Sequence, residues 1–170
     1  NAQTRNRALS ALNAGVPAVL DADAISVFAD DRQALFDACR QAPTILTPHM
    51  GEFARLFGDV EGDKLQQACK AAHMAQAIIV LKGGDTVIAH PDGRAVINTA
   101  TTPYLATAGA GDVLTGLCAG LLAGGTDAFA AACAAVWMHG MAGREFGPGL
   151  TADDLPAMIP AVLEYLHFQK

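Results

Sequence analysis

The 170-residue sequence lacks a long apolar run and any stretch in which lysine or arginine is concentrated. A helix needs about 20 apolar residues to span a bilayer, and runs such as GLCAGLLAGG are far shorter. The formal net charge is −6, which argues against nucleic acid or an anionic membrane as a partner. A small anionic ligand is still allowed, because it needs only a few local donors.

Paired cysteines are also lacking. The four cysteines occur singly within helical patterns, with no CxxC and no spacing typical of a metal site. Small buried thiols in a reducing compartment explain them, and no signal-peptide pattern is visible. We therefore expect a cytoplasmic protein.

Apolar residues make up 52% of the sequence and charged residues 16%, a balance typical of a globular domain. The short apolar runs PAVLDA, TILTP and AIIVLKG are typical of buried strands and alternate with helical patterns. TVIAH and RAVIN flank a PDG turn and predict a hairpin. The alternation predicts a three-layer α/β fold, in which helices cover both faces of a mostly parallel sheet. We predict a single domain over residues 1–170.

Polar or glycine-rich segments follow three of the predicted strands. They are Asp21 to Asp23, Pro48 to Glu52 and Lys82 to Thr86. Ligands of open α/β sheets bind at the carboxyl ends of the strands. The sequence therefore predicts a binding site at this edge of the sheet.

The segment LATAGAGDVLTG places two glycines and an acid directly before a helical pattern. Gly109 and Gly111 allow a tight turn and a close approach to a ligand, and the free N–H groups of the next helix suit a phosphate. Asp112 would then be a base beside this anion site. A structural Asp cap after a glycine-rich turn explains the GAGD motif equally well. Leu114 in the sixth position excludes the dinucleotide motif GxGxxG.

The segment LKGGDT offers a second set of phosphate donors. Lys82 supplies a cation, Gly83 and Gly84 supply accessible backbone N–H groups, and Thr86 adds a hydroxyl. A glycine-rich hairpin turn with a solvated lysine is an equal alternative.

In TPHMGEF, His49 is expected to face the cleft and Glu52 to lie in the first turn of a helix. A loop histidine is more often a surface residue, and a carboxylate in a first turn is stabilised by the helix dipole. Neither residue indicates a site by itself.

Other features are interpreted as structural. Asp21 and Asp23 are assigned to a strand end and a helix cap rather than to Mg²⁺ or acid–base chemistry. His139 is assigned to packing within an alanine-rich helix. Three glycines at every fourth position predict close packing of a helix on the sheet: Gly116, Gly120 and Gly124.

Five segments, in this order, resemble the ADP/ATP-dependent NAD(P)H-hydrate dehydratases of the ribokinase-like superfamily. The resemblance extends from about Val19 to about Pro160. The segments are TILTPHMGEFARLFG, IIVLKGGDTVIA, LATAGAGDVLTGLCAGLLAGG, AAVWMHGMAG and GLTADDLP.

The resemblance implies a ribokinase-like fold and a repair reaction. These enzymes transfer a phosphoryl group from ADP or ATP, with Mg²⁺, to the hydroxyl of hydrated NADH or NADPH, and phosphate elimination restores the dihydropyridine ring. The resemblance makes Asp112 the base and, with His49, a contact of the hydrated dinucleotide. It leaves the metal ligands unassigned. The implied nucleotide-binding residues are Lys82, Gly83, Gly84, Asp85, Thr86, Gly109 and Gly111.

The resemblance also implies that the chain is the C-terminal portion of a dehydratase domain. The family's N-terminal strands and glycine-rich segment have no counterpart here, Ala110 replaces a serine, and TATTP (99–103) replaces TGNP. We expect a processed or truncated piece, or the tail of a longer protein that also carries an NAD(P)HX epimerase. We also expect a homo-oligomer, because self-association would cover the exposed sheet edge.

Two alternatives stay open. A vitamin or sugar kinase of the same superfamily would also use Asp112 as a base, although such kinases are expected to have Asn where His49 stands. A non-catalytic nucleotide-binding module is the second alternative.

Overall fold

The computed structural model describes residues 1–168 of the chain and has alternating helices and strands. The strands are β1 (Ala18–Leu20), β2 (Thr44–Leu46), β3 (Ile78–Leu81), β4 (Thr86–Ala89) and β5 (Ala95–Asn98). The helices are α1 (Ala2–Asn13), α2 (Asp23–Ser26), α3 (Arg32–Cys39), α4 (Met50–Phe57), α5 (Lys64–Ala75), α6 (Ala110–Ala123), α7 (Ala128–Phe146) and α8 (Leu155–Phe168). Two short 3₁₀ turns precede α6 and α8, at Pro103–Leu105 and Ala152–Asp154.

The five strands form one mixed sheet in the order β1-β2-β3-β4-β5. The first two pairings are parallel, and the β3–β4 and β4–β5 pairings are antiparallel. Only β4 therefore runs against the other four strands. Two short turns explain this: residues 82–85 join β3 to β4, and the PDG turn joins β4 to β5 as the hairpin that the sequence predicts. The α/β class is confirmed, with a mixed sheet.

Helices cover both faces of this sheet, because successive strand residues point to opposite sides. Leu46, Ile79 and Leu81 pack in a cluster with residues of α1, α3, α4 and α5. Ile45 and Val80 pack on the other face with residues of α6 and α7. The predicted three layers are therefore present, and a further apolar cluster joins α6, α7 and α8.

The four cysteines are free thiols, as the sequence predicts. Burial raises the pKa of Cys39 and of Cys118 to about 12, so both are unreactive structural residues. Within residues 1–168, no helix combines the length and the apolar character that a membrane crossing requires.

Glycines bring α7 directly against the segment that follows β5. A Cβ on Gly140 would overlap the carbonyl oxygen of Ala100, and one on Gly143 would lie 2.8 Å from the Leu105 side chain. The glycines of α6 behave differently: Gly116 and Gly120 have open space where a Cβ would be. The prediction of close packing at those two residues is therefore wrong, because this side of α6 faces outward.

This contrast gives a matched pair of substitutions within two helices. Gly140→Ala should lower the free energy of unfolding by about 1–3 kcal/mol, because the new methyl group overpacks against backbone that must move. Gly116→Ala should raise it by about 0.5–1 kcal/mol, because alanine loses less backbone entropy in a helix. Urea denaturation of both variants measures the two shifts, and a shift of the same sign in both would contradict this account of α7.

Candidate active site

The carboxyl ends of β1, β2 and β3 bring together a cation and two acids. The three strands are parallel neighbours, so Asp21, Glu52 and Lys82 meet at one edge of the sheet. Lys82 Nζ lies 2.7 Å from Asp21 Oδ1 and 3.9 Å from Glu52 Oε2. The side chains are 20%, 11% and 8% exposed for lysine, aspartate and glutamate. We call these three residues the Lys82 cluster.

Helix α6 packs against this cluster. The Thr115 hydroxyl donates to Asp21 Oδ2 at 3.2 Å. A Cβ on Gly111 would lie 3.4 Å from Asp21 Oδ2 and 3.5 Å from Lys82 Nζ. The missing side chain thus lets the first turn of α6 lie against the Asp21–Lys82 pair, with its positive dipole end at the cluster.

The GAGD turn has the geometry that its sequence predicts. Gly109 is the residue before α6 and has a φ of 88°, a left-handed conformation that favours glycine. Asp112 lies in the first turn of α6 and is exposed. The turn therefore places backbone donors and a solvent-accessible carboxylate within one helical turn.

His49 and Glu52 cap α4 reciprocally. The N–H groups of Gly51 and Glu52 donate to His49 Nδ1 at 2.9 and 3.3 Å, and the His49 N–H donates to Glu52 Oε2 at 2.9 Å. Because Nδ1 accepts, a neutral ring carries its proton on Nε2. The His49 side chain is 55% exposed. The histidine is therefore both a helix cap and an accessible donor beside the cluster.

A cavity of about 300 Å³ adjoins the cluster. Its wall combines the segment after β3, the first turns of α6, the middle of α7 and the loop after β5. The lining residues include Lys82, Gly83, Gly84, Thr86, Asn98, Leu105, Ala106, Gly111, Val136, His139 and Gly140. Cationic and backbone donors therefore share one cavity with an apolar wall.

The structure brings most of the predicted nucleotide residues to this cavity. Lys82, Gly83, Gly84, Thr86 and Gly111 line it. Gly109 and Asp112 flank the lining residues Ala110 and Gly111 in the chain but do not line the cavity themselves, and His49 does not line it either.

Asp85 does not line the cavity and is bound by Lys64, a residue that the sequence did not indicate. Lys64, at the start of α5, donates to the carbonyl and to Oδ1 of Asp85, both at 2.7 Å. The hydrogen bond and the charge of Lys64 lower the pKa of Asp85. Thr86 Oγ1 donates to the Gly83 carbonyl at 3.1 Å and closes the turn. Lys64 thus fixes the conformation of the loop over residues 82–86.

Asp21 directly follows β1, as expected of a strand end, but the expectation that Asp21 or Asp23 caps α2 is wrong. The Asp21 carboxylate binds Lys82 and Thr115, and α2 begins without a side-chain cap. Asp23 is exposed in the first turn of α2, so the two acids do not form a pair. The DxD spacing at a strand end was the available signal. Among residues 1–168, no group of three or more His, Cys, Asp or Glu side chains converges as a metal site.

Comparison with known proteins shows the family of this chain. A family model described as NAD(P)H-hydrate dehydratase matches residues 2–161. The bifunctional NAD(P)H-hydrate repair enzyme Nnr of Moorella thermoacetica is 44% identical over 160 residues, which are 89% of this chain and 30% of that protein.

Two solved structures have the same fold. The ADP/ATP-dependent NAD(P)H-hydrate dehydratase of Bacillus subtilis, co-crystallised with ATP and Mg²⁺, is 33% identical with a TM-score of 0.77, covering 91% of this chain and 56% of that one. A ribokinase-like protein of Enterococcus faecalis is 27% identical with a TM-score of 0.69, covering 86% of this chain and 52% of that one.

The chain spans less than two thirds of each of these relatives. The family model nevertheless covers nearly all of the chain, and its fold is that of the ribokinase-like structures. The chain therefore belongs to the NAD(P)H-hydrate dehydratase family.

Proposed function

We propose that this chain takes part in the ADP- or ATP-dependent dehydration of hydrated NADH or NADPH. The observation that carries the proposal is the close approach of the Lys82 ammonium to Gly111, in the first turn of α6, at the wall of one cavity. The nucleotide would donate a phosphoryl group to the ring hydroxyl, forming an O–P bond as the nucleotide P–O bond breaks. Loss of phosphate and of a ring proton would then restore the dihydropyridine.

Phosphate binding follows from the donors around Gly111. In the first turn of α6, the N–H groups of Ala110, Asp112 and Val113 donate to backbone carbonyls, whereas the Gly111 N–H has no acceptor among the described residues. This N–H and the positive end of the helix dipole favour a negatively charged group. The Lys82 ammonium lies against the same turn and adds a formal charge. Charge that develops on the transferring phosphoryl group would be stabilised by donors already in place, which is the main requirement of this reaction.

Asp112 would remove the proton of the substrate hydroxyl. Its carboxylate is exposed and lies one residue beyond Gly111, so a hydroxyl that it contacts is close to the bound phosphate. His49 would contact the hydrated dinucleotide with its accessible ring, whose Nε2 lies 3.5 Å from Glu52 Oε1. Both roles depend on the substrate entering from the exposed side of the cluster.

Asp21 and Glu52 would hold the Mg²⁺ that accompanies an adenine nucleotide by exchanging their contacts with the Lys82 ammonium. Mg²⁺ is commonly bound by one or two carboxylates together with phosphates and water, and these two carboxylates are the ones that converge on the Lys82 ammonium. The ion would neutralise phosphate charge when bound. In this chain the acids orient Lys82, and Thr115 orients Asp21.

The domain assignment, the oligomeric state and the cytoplasmic location stay predictions. The name of the M. thermoacetica relative describes a bifunctional protein, which supports the expectation that a longer protein with this sequence also carries an epimerase.

The proposed role of Asp112 gives the first functional prediction. Asp112→Asn should lower the rate of NADH recovery by about 10²–10⁴-fold, because general-base catalysis is lost, while the Kd for ADP changes little. The absorbance of reduced nicotinamide, followed after adding hydrated NADH, Mg²⁺ and ADP or ATP, measures the rate. Asp23→Asn is the matched control, because Asp23 is also an exposed acid in the first turn of a helix.

Analysis of the products separates the alternatives. A dehydratase releases inorganic phosphate and a reduced nicotinamide, whereas a vitamin or sugar kinase leaves a stable phosphoester. Nucleotide binding without turnover in the wild-type protein, unaffected by Asp112→Asn, would favour the non-catalytic module and contradict the dehydratase.

The contact of Lys64 with Asp85 gives a second prediction. Lys64→Ala should raise the Kd for ADP about twofold to fivefold, because the loop over residues 82–86 loses an exposed charge-assisted contact. Turnover at saturating nucleotide should change little, since a uniform binding contact is lost. Titration calorimetry measures the affinity.

The control for this prediction is Lys70→Ala. Lys70 also lies on α5 and donates to a backbone carbonyl, that of Glu61 at 2.8 Å, but it does not contact the loop. Equal losses of affinity in the two variants would show that the Lys64 contact has no special role.

A further inference from the structure

Thr115 lies on the side of α6 that packs against the end of β1. It follows Gly111 by four residues and precedes Cys118 by three, and this spacing places the three residues on one helical face. Gly111 has no side chain, and Cys118 is buried among apolar residues. Thr115 therefore brings a hydroxyl to a face that is otherwise small or apolar.

The Thr115 hydroxyl departs from the usual behaviour of threonine in a helix. A helical threonine commonly donates to a carbonyl three or four residues earlier in its own helix. Here the hydroxyl donates to Oδ2 of Asp21, a residue 94 positions earlier in the chain, at 3.2 Å. Valine would fill the same space with the same branching, so packing does not account for the hydroxyl.

Asp21 is held at both of its carboxylate oxygens. Oδ1 accepts from Lys82 Nζ at 2.7 Å, and Oδ2 accepts from Thr115. A carboxylate bound at one oxygen alone can turn about χ2, which is a broad torsion in aspartate. The second hydrogen bond therefore fixes the plane of the carboxylate, and with it the place of the Lys82 ammonium beside Gly111.

The same hydrogen bond matters when Lys82 turns to a phosphate. The Asp21 side chain is 11% exposed, so a carboxylate that loses the ammonium would gain few contacts with water. A buried acceptor that is left without a partner is costly. A hydroxyl that stays on Asp21 during this exchange lowers the cost of releasing Lys82.

We propose that Thr115 is a positioning residue of the phosphate site: its hydroxyl holds Asp21 in place and thereby lets Lys82 bind the phosphates of the nucleotide. This inference rests on the proposed function, because it requires phosphates at Lys82 and Gly111. It extends the site beyond the GAGD segment to the next turn of α6.

Calorimetric titration with ADP and with inorganic tripolyphosphate tests the proposal. Thr115→Val should raise the Kd of both ligands about fivefold, because one hydrogen bond to a charged group is lost. The two losses should be similar, since the residue acts on the binding of phosphates. Thr115→Ser, which keeps the hydroxyl, should stay within about twofold of the wild type.

Thr44→Val is the matched control. Thr44 is buried at the start of β2, at the opposite edge of the sheet from the Lys82 cluster, and its hydroxyl donates to the Ala42 carbonyl at 2.9 Å. This variant also loses a buried hydrogen bond, so it should lower the melting temperature and leave both Kd values unchanged.

Three results would overturn the proposal: an unchanged affinity in Thr115→Val, a loss confined to ADP, or an equal loss in Thr115→Ser. The proposed function fails in a different way. Wild-type protein that binds neither ADP nor tripolyphosphate would overturn that function, whereas binding that Thr115→Val does not weaken overturns this inference alone.

A second measurement uses only the wild-type protein and does not depend on the folding of any variant. In a crystal structure with bound ADP, Thr115 Oγ1 should stay within hydrogen-bond distance of Asp21 while Lys82 lies against a phosphate. A Thr115 hydroxyl that donates to a carbonyl of α6, or to the phosphate itself, would contradict the proposed role.

Discussion

The ion pair between Lys82 and Asp21 is the interaction on which the site depends. It joins the ends of β3 and β1, which are not neighbours in the sheet, across the end of β2. Glu52 adds a second carboxylate from the chain after β2, and Thr115 connects the pair to α6. Removing one member would leave a partly buried charge without compensation, which is costly. The pair therefore fixes where the first turn of α6 lies and where the cavity opens.

Much of the fold is readable in the sequence because its patterns are local. The apolar runs that predict β1, β2 and β3 are short and end at Asp, Pro or Gly, and the PDG turn predicts the antiparallel hairpin of β4 and β5. The packing around the helical glycines could not be predicted from the sequence. Gly116 and Gly140 both lie inside helices, and only the tertiary structure decides that the first meets solvent and the second meets a carbonyl.

The candidate site also has a part that the sequence predicts and a part that only the structure shows. The GAGD and KGG segments indicate a phosphate site in the sequence itself, because their glycines and charged residues lie within a few positions of each other. Asp21 gave no such signal, since its partners are 61 and 94 residues away in the chain, and an aspartate after a strand is commonly a cap. Lys64 gave no signal for the same reason. His139 is buried on α7, as its assignment to packing predicts.

The proposed function requires that the cavity between the segment after β3 and the first turn of α6 binds an adenine nucleotide through its phosphates. A crystal structure of the chain grown with ADP and Mg²⁺ tests this most directly. Phosphate oxygens should then lie within hydrogen-bond distance of the Gly111 N–H and of the Lys82 ammonium. Well-defined ADP elsewhere on the protein, with this cavity empty, would contradict it.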